Sequence, residues 1–295
     1  MTSLDIKKDA LPIAALKALR PKQWTKNVLL FAALVFSTEF LNTDSVIKAL
    51  WAFAAFSLVS SVGYIINDIL DRDADAQHPR KRKRPIASGA LPVGMAWGLA
   101  ATIAVAGFGL SFLLNPWFAL VAGMYFINTM TYTFWGKHKV IVDIMMIAAG
   151  FLLRAVAGGV AIDVPISPWL LMCAGFFALF LGFNKRRGEL VQLEEKAAEH
   201  RKNLALYSTQ LLDEYQSITT SAAIMSYALY TVLADYPNNP WLLLTVPLPL
   251  YGIFRYVYVV QREGEGDPST LLLRDRGIML VCFLYAITTM TILVL

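Results

Sequence analysis

Nine stretches of this chain have the length and apolar character of bilayer-crossing segments, and no other feature limits its fold so strongly. They run over about 27–42, 45–67, 93–114, 117–135, 140–162, 167–184, 214–235, 240–260 and 277–295. A span needs about 20 mostly apolar residues. Hydrocarbon offers backbone amides no partner, so each span must satisfy its own hydrogen bonds as a helix or join a closed barrel. The segments lack the two-residue alternation of a barrel. An all-α integral membrane protein of nine transmembrane helices is therefore expected. Composition agrees: 57% of residues are hydrophobic, only 16% are charged, and mean hydropathy is +0.54. Soluble domains carry about 25% charged residues.

The basic residues set the orientation. The connections at 43–44, 115–116, 163–166 and 236–239 hold no Lys or Arg, whereas the N-terminus and the alternate connections hold nearly all of them. The exceptions are Lys48, at a segment end, and Arg154 and Arg255, within spans. The positive-inside rule then places the N-terminus in the cytoplasm and the C-terminus outside, in the inner (plasma) membrane of a prokaryote. A cleavable signal peptide is not expected, because the N-terminus is polar with no apolar run directly after it. The chain reads as a single membrane domain, 1–295. Residues 1–26 form a cytoplasmic or interfacial lead, and 68–92, 185–213 and 261–276 are substantial cytoplasmic elements. Within them, 189–206 has the mixed charge of a surface helix. No repeat supports an inverted-repeat transporter.

Two cysteines and three scattered histidines exclude a disulfide scaffold, a Cys-based zinc site and a histidine metal cluster. The net charge of +5 lies in loops beside the membrane. That placement suits acidic lipid and an anionic substrate, not nucleic acid.

The strongest motif is Asn67-Asp68-x-x-Asp71-x-x-x-Asp75 at the end of the second span. Spacings of three and four put the three acids on one helix face. Such like charges need a cation between them. Hard oxygen ligands suit Mg2+, which uses one or two carboxylates plus substrate phosphates. Asp68, Asp71 and Asp75 are thus candidate metal ligands, and Asn67 extends the motif into the span, where a polar group is costly. Directly after comes His78-Pro79-Arg80-Lys81-Arg82-Lys83-Arg84-Pro85. A basic run beside a membrane commonly anchors acidic lipid. Arg80 and Arg84, which flank the acids, are the better phosphate ligands. The lead Arg20-Pro21-Lys22-Gln23-Trp24-Thr25-Lys26 repeats the chemistry, with Lys22 and Lys26 four apart. Tyr132 and Lys137 at the next cytoplasmic turn, Lys185, Arg186 and Glu189 after the sixth span, and Arg274 near the last one complete the candidate binding residues.

At these residues the chain resembles the UbiA superfamily of intramembrane prenyltransferases. The acidic motif matches the first Asp-rich motif of that superfamily, and the likeness covers essentially the whole chain. The pieces at 20–27, 78–89, 132–138, 151–159, 185–190 and 272–276 are similar to its branch that transfers phosphoribosyl groups to polyprenyl phosphate. One departure from the superfamily is informative. Where aromatic prenyltransferases carry a second Asp-rich motif, this chain has Asn184-Lys185-Arg186-Arg187-Gly188-Glu189. A donor with an extra phosphate, meeting an acceptor that is itself a phosphate, needs more cations and fewer acids there.

The resemblance implies a Mg2+-dependent pentosyltransferase. It would move the 5-phosphoribosyl group of phosphoribosyl diphosphate (PRPP) to a polyprenyl phosphate of the decaprenyl type and release diphosphate, in cell-envelope synthesis. Asp68 and Asp71 would be catalytic through the metal, and Asn67 would bond the ribose or a metal-bound water. A second copy of the chain is a further candidate partner. The alternative is an aromatic prenyltransferase with a prenyl diphosphate donor. A transporter would spread polar residues through the spans to the outer face, and here they cluster on the inner side.

Overall fold

The computed structural model describes residues 10–78, 81–193, 206–233, 239–263, 271 and 274–294. All regular structure among them is helical. A short α1 (Leu11–Ala18) leads through a 3-10 stretch, Pro21–Leu30, into α2 (Phe31–Phe36). Then come α3 (Thr43–Leu70), α4 (Arg72–Gln77), α5 (Val93–Leu114), α6 (Pro116–Phe134), α7 (Val142–Ile162) and α8 (Pro168–Leu193). The chain closes with α9 (Thr209–Leu233), α10 (Asn239–Leu242), α11 (Pro247–Glu263) and α12 (Arg276–Val294).

Local chemistry sets the boundaries. Asn42 caps α3 by accepting from the Asp44 amide at 3.1 Å. Asn115 caps α6 by accepting from the Trp117 amide at 2.8 Å, and Pro116 follows where no amide donor is needed. Asp163 ends α7 in the left-handed region (φ 59). Asp275 caps α12 by accepting from the Ile278 amide at 2.9 Å.

α3 packs on α5, α6 on α7, α7 on α8, α8 on α9, and α11 on α12. Phe56, Phe118 and Tyr125 centre the contact of α3 with α6. Ala14, Val62, Ile65 and Ala96 bring α1 and α5 onto the other side of α3. Phe180, Ile253, Tyr256 and Ile278 join α8, α11 and α12. The outward faces remain apolar: Val105 is 77% exposed and Leu113 73%. A soluble protein would not tolerate such surfaces, but acyl chains cover them at no cost.

Among the described residues six helices are long and apolar enough to cross a membrane: Thr43–Leu70, Val93–Leu114, Val142–Ile162, Pro168–Val191, Leu243–Arg262 and Arg276–Val294. That criterion recovers six of the nine segments expected from the sequence. The predicted segment 27–42 is not one helix. It is the end of the 3-10 stretch, α2 and a further 3-10 turn, Glu39–Leu41, with Thr38 in the left-handed region (φ 63). Tertiary contacts hold this irregular path. The Asn27 amide donates to Ser57 Oγ (3.0 Å) and Ser60 Oγ (3.3 Å), and Trp24 donates to Ser61 Oγ (3.0 Å). Gly158 of α7 admits the Leu30 carbonyl so closely that a Cβ would stand 2.0 Å from its oxygen. α6 and α9 are helices of nearly the predicted extent that fall short in hydropathy. The C-terminal half of α6 carries Asn128, Thr129, Tyr132 and Thr133, and the N-terminal half of α9 carries Asp213, Glu214, Gln216 and Ser217. Of the proposed 189–206 surface helix, 189–193 continues α8 and 194–205 lies outside the described residues.

Candidate active site

The acidic motif sits where α3 ends. Asp71 leaves the helical path (φ −91, ψ 7), and α4 starts on a new turn. This break divides the three acids that an unbroken helix would align. Asp68 and Asp75 are both buried, and Arg84 Nη1 donates to both, at 3.0 Å to Asp68 Oδ1 and at closer range to Asp75 Oδ2. Asp71 turns the other way. It accepts from the Asn67 amide at 3.0 Å and from Lys137 Nζ at 2.7 Å. One pair and one single acid thus replace the expected triad, and no group of three metal-ligating side chains converges among the described residues.

Asp68 has a second cation. Arg20 donates to it through Nε (3.2 Å) and Nη2, a forked contact of the kind that favours arginine for carboxylates. Arg20 stands between α1 and the 3-10 stretch in the left-handed region (φ 54), and its guanidinium lies over the Tyr64 ring, 5.3 Å from the centroid. Sequence reasoning left Arg20 out of the site. Its signal was available, because it opens the same basic lead as Lys22 and Lys26, but its contact with Asp68 spans 48 residues. Lys81 lies 3.9 Å from Asp75.

The remaining candidates divide by burial. Lys22 is exposed and Lys26 half-buried on the 3-10 stretch. Lys185 is half-buried on α8. Arg186, between Lys185 and Arg187 in the sequence, is enclosed at 2% exposure. Its Nε donates to Asp143 Oδ2 at 2.9 Å and its Nη1 to Glu189 Oε2 at 2.6 Å. Tyr132 is half-buried near the end of α6. Arg274 is exposed. Arg80 lies outside the described residues.

Two further groups were missed as site components. Asp143, fully buried, gathers Arg186 and the Tyr207 hydroxyl, which donates to it at 3.2 Å. Burial beside that carboxylate pushes the Tyr207 phenol up to about 12, so it stays a neutral donor. Arg154 is the deep intramembrane cation. Its Nε donates to Asn27 Oδ1 (2.8 Å), Nη1 to the Gly150 carbonyl (2.9 Å) and Nη2 to the Tyr125 hydroxyl (2.8 Å). The rings of Phe56, Tyr125 and Phe151 surround it. Arg154 therefore joins α6 and α7 to the stretch carrying Lys22 and Lys26.

A separate apolar cavity of about 340 Å³ lies among α2, α8, α9, α11 and α12. Ala174, Phe177, Ala223, Ile253 and Val281 are among the residues lining it.

Chains of similar sequence and similar fold are found among known proteins. A decaprenyl-phosphate phosphoribosyltransferase of Corynebacterium glutamicum is 38% identical over 268 residues, covering 88% of this chain and 81% of that protein. One from Mycobacterium tuberculosis is 34% identical over 282 residues, covering 94% and 93%. A UbiA homolog from Archaeoglobus fulgidus, solved with DMAPP and Mg2+, superposes with a TM-score of 0.72 at 17% identity, covering 95% of this chain and 99% of that one. Residues 28–287 match the UbiA prenyltransferase family, and the chain belongs to that family.

Proposed function

We propose that this protein transfers the 5-phosphoribosyl group from PRPP to a polyprenyl phosphate at the inner face of a bacterial membrane, releasing diphosphate. The observation that carries this reading is the extended identity, 38% and 34%, to decaprenyl-phosphate phosphoribosyltransferases. The cation-rich mouth supports it: Arg20, Arg84 and Lys137 stand on the acids, and Lys22, Lys26 and Lys185 stand around them.

The donor set fits Mg2+. Asp68 and Asp75 are hard carboxylates brought within reach of one guanidinium nitrogen, and that nitrogen holds a place that a cation can take. Asp71, which stands apart on Lys137, would have to turn toward the pair to serve as a third ligand. These carboxylates would hold Mg2+, which would supply charge neutralisation for the departing diphosphate. The chain's own groups do the rest. Arg84, released from the acids, turns its donors to phosphate oxygens. Arg20 keeps Asp68 ionised and aimed. Asn67 orients Asp71 and is placed to bond the ribose. Lys22, Lys26 and Lys137 share the donor's phosphates, together with Arg80. Lys185, Tyr132 and Arg274 are assigned to the acceptor side. Arg186 and Glu189 act through Asp143. As the C1–O bond to diphosphate breaks, its electron pair leaves with diphosphate and positive charge grows on the sugar. A phosphate oxygen of the lipid attacks C1 from the opposite face. That oxygen is already anionic, so no general base is required. The lipid's first isoprene units enter the apolar cavity, and the remaining tail stays in the bilayer.

We further assign nine membrane-inserted segments with a cytoplasmic N-terminus. Segment 27–42 and helices α6 and α9 complete the six apolar spans, and the distribution of Lys and Arg sets the direction.

The test is incubation of the purified protein in detergent with Mg2+, labelled PRPP and decaprenyl phosphate. Label in the lipid extract, absent with EDTA and absent in Asp68→Asn and Asp71→Asn, is the expected result. No label, with coupling of a prenyl diphosphate to an aromatic acid in a parallel reaction, would replace this reading with aromatic prenyl transfer.

A further inference from the structure

Lys137 reaches Asp71 from a short loop between α6 and α7, and that loop contains a strained turn. Ile141 has φ 68 and ψ −48, and the Val142 amide donates to the Val140 carbonyl at 2.7 Å. This is a γ-turn of the rarer, strained hand. A β-branched residue is a poor occupant of that region, so the surroundings must hold it there. Its side chain gives little packing in return, being 37% exposed.

Backbone bonds from Asp143 to Lys139 and from Ile144 and Met145 to Ile141 surround the turn, and one side chain adds to them. The Tyr207 hydroxyl accepts from the Ile141 amide at 2.6 Å and donates to Asp143 Oδ1 at 3.2 Å, two residues further along. Tyr207 is 5% exposed and packs with Ile144, Phe183 and Leu212, so its own position is fixed. It comes from the far end of the α8–α9 connection, whose flanks are joined by the Arg187–Asp213 ion pair. A phenol suits the position because one oxygen must accept from an amide and donate to a carboxylate at once.

We infer that Tyr207 is a positioning residue: it latches the strained turn at Ile141 and thereby aims Lys137 at Asp71. Tyr207, just ahead of α9, is thus coupled to the acidic mouth. The inference rests on the reading of Asp71 and Lys137 as part of the PRPP site.

The test is a double-mutant cycle on PRPP affinity, measured by calorimetric titration of the full chain in detergent with Mg2+, alongside turnover. Tyr207→Phe removes both polar contacts and keeps the ring. It should weaken PRPP about tenfold, the order seen when an outer partner of a ligand-orienting group is lost. In the Lys137→Ala background the same change should add nothing, because the group it aims is gone. Ile141→Gly accepts a positive φ without strain, so it should leave affinity unchanged alone and restore most of the loss in Tyr207→Phe. Wild-type affinity in Tyr207→Phe, an equal further loss in the Lys137→Ala background, or no restoration by Ile141→Gly would each overturn the latch. If Tyr207→Phe fails to fold, Tyr207→Phe with Ile141→Gly should fold. A double variant that also fails overturns it. Lys137→Ala binding PRPP as wild type would instead sink the reading of the mouth itself.

Discussion

Replacing Arg84 with Ala separates the two cation-binding states of the acidic mouth. Arg84 is about one quarter exposed, whereas Asp68 and Asp75 are nearly closed to solvent. Removing one partner of a buried ion pair costs about 3–5 kcal/mol, because a buried charge is left uncompensated. Two facts lower that figure here. Asp68 keeps the Arg20 fork, and the partial exposure of Arg84 screens its contribution. Asp75 suffers more, since its remaining cation is Lys81 at 3.9 Å. We expect a loss of about 2 kcal/mol, or an apparent Tm lower by roughly 4–8 °C at the few degrees per kcal/mol usual for larger domains. The assay is thermal unfolding of the purified protein in detergent, first in EDTA and then in millimolar Mg2+. A cation that binds the folded site adds stability by mass action. With Arg84 absent, Mg2+ no longer competes with a guanidinium, so it should recover more Tm in the variant than it adds to wild type. Arg82→Ala, an exposed change in the same basic run, is the control and should move Tm by less than 1 °C. If Arg84→Ala unfolds with Arg82→Ala in EDTA, or if Mg2+ raises both proteins equally, Arg84 is not holding the metal's place.

Three further outcomes are expected. Arg154→Lys keeps the charge but cannot serve Asn27, Tyr125 and the Gly150 carbonyl from one planar fork, so it should cost about 2–4 kcal/mol in thermal unfolding; wild-type stability would show that the fork is dispensable. Ala223→Phe intrudes on the apolar cavity and should raise KM for the polyprenyl phosphate several-fold with KM for PRPP unchanged, and a rise in both would mean general distortion. The Asp275 carboxyl is held below its usual 3.8 by the hydrogen bond from Arg255, so its stabilising contribution is complete above pH 3.8 and is lost as pH falls through the lowered value; Asp275→Asn keeps the α12 cap, and its deficit in Tm should be flat from pH 7 to 5 and close below pH 3.8.

Hydropathy located the regular helices well because burial in lipid is a property of consecutive residues. The segments expected at 93–114, 117–135, 140–162 and 277–295 became Val93–Leu114, Pro116–Phe134, Val142–Ile162 and Arg276–Val294. The same signal could not see the path of 27–42. That path depends on Asn27 meeting Ser57 and on the missing Cβ of Gly158, and these are contacts between distant residues. α8 continues through Lys185 to Leu193 although hydropathy falls at 184. The reason is Arg186, whose charge is satisfied inside the fold by Asp143 and Glu189 and therefore does not end the helix at the membrane surface.

The acidic motif shows the same limit at the level of chemistry. Spacing told which residues could share a face, and it told nothing of where the helix would break. The break at Asp71 makes the site asymmetric: a buried pair bridged by Arg84, with Arg20 on Asp68, and a single acid facing a lysine on a strained loop. That asymmetry suits a reaction in which one anion departs while another arrives. Acids alone would hold a metal but repel phosphates, and cations alone would hold phosphates but leave no place for the metal. Cross-paired as they are, each set keeps the other soluble in a low-dielectric mouth until the substrates displace the pairing. A site organised this way must spend its ion pairs when an anion or a metal binds, so its most stable form without ligand is one in which the carboxylates are occupied. The stability of Arg84→Ala in EDTA and in Mg2+ measures that exchange directly.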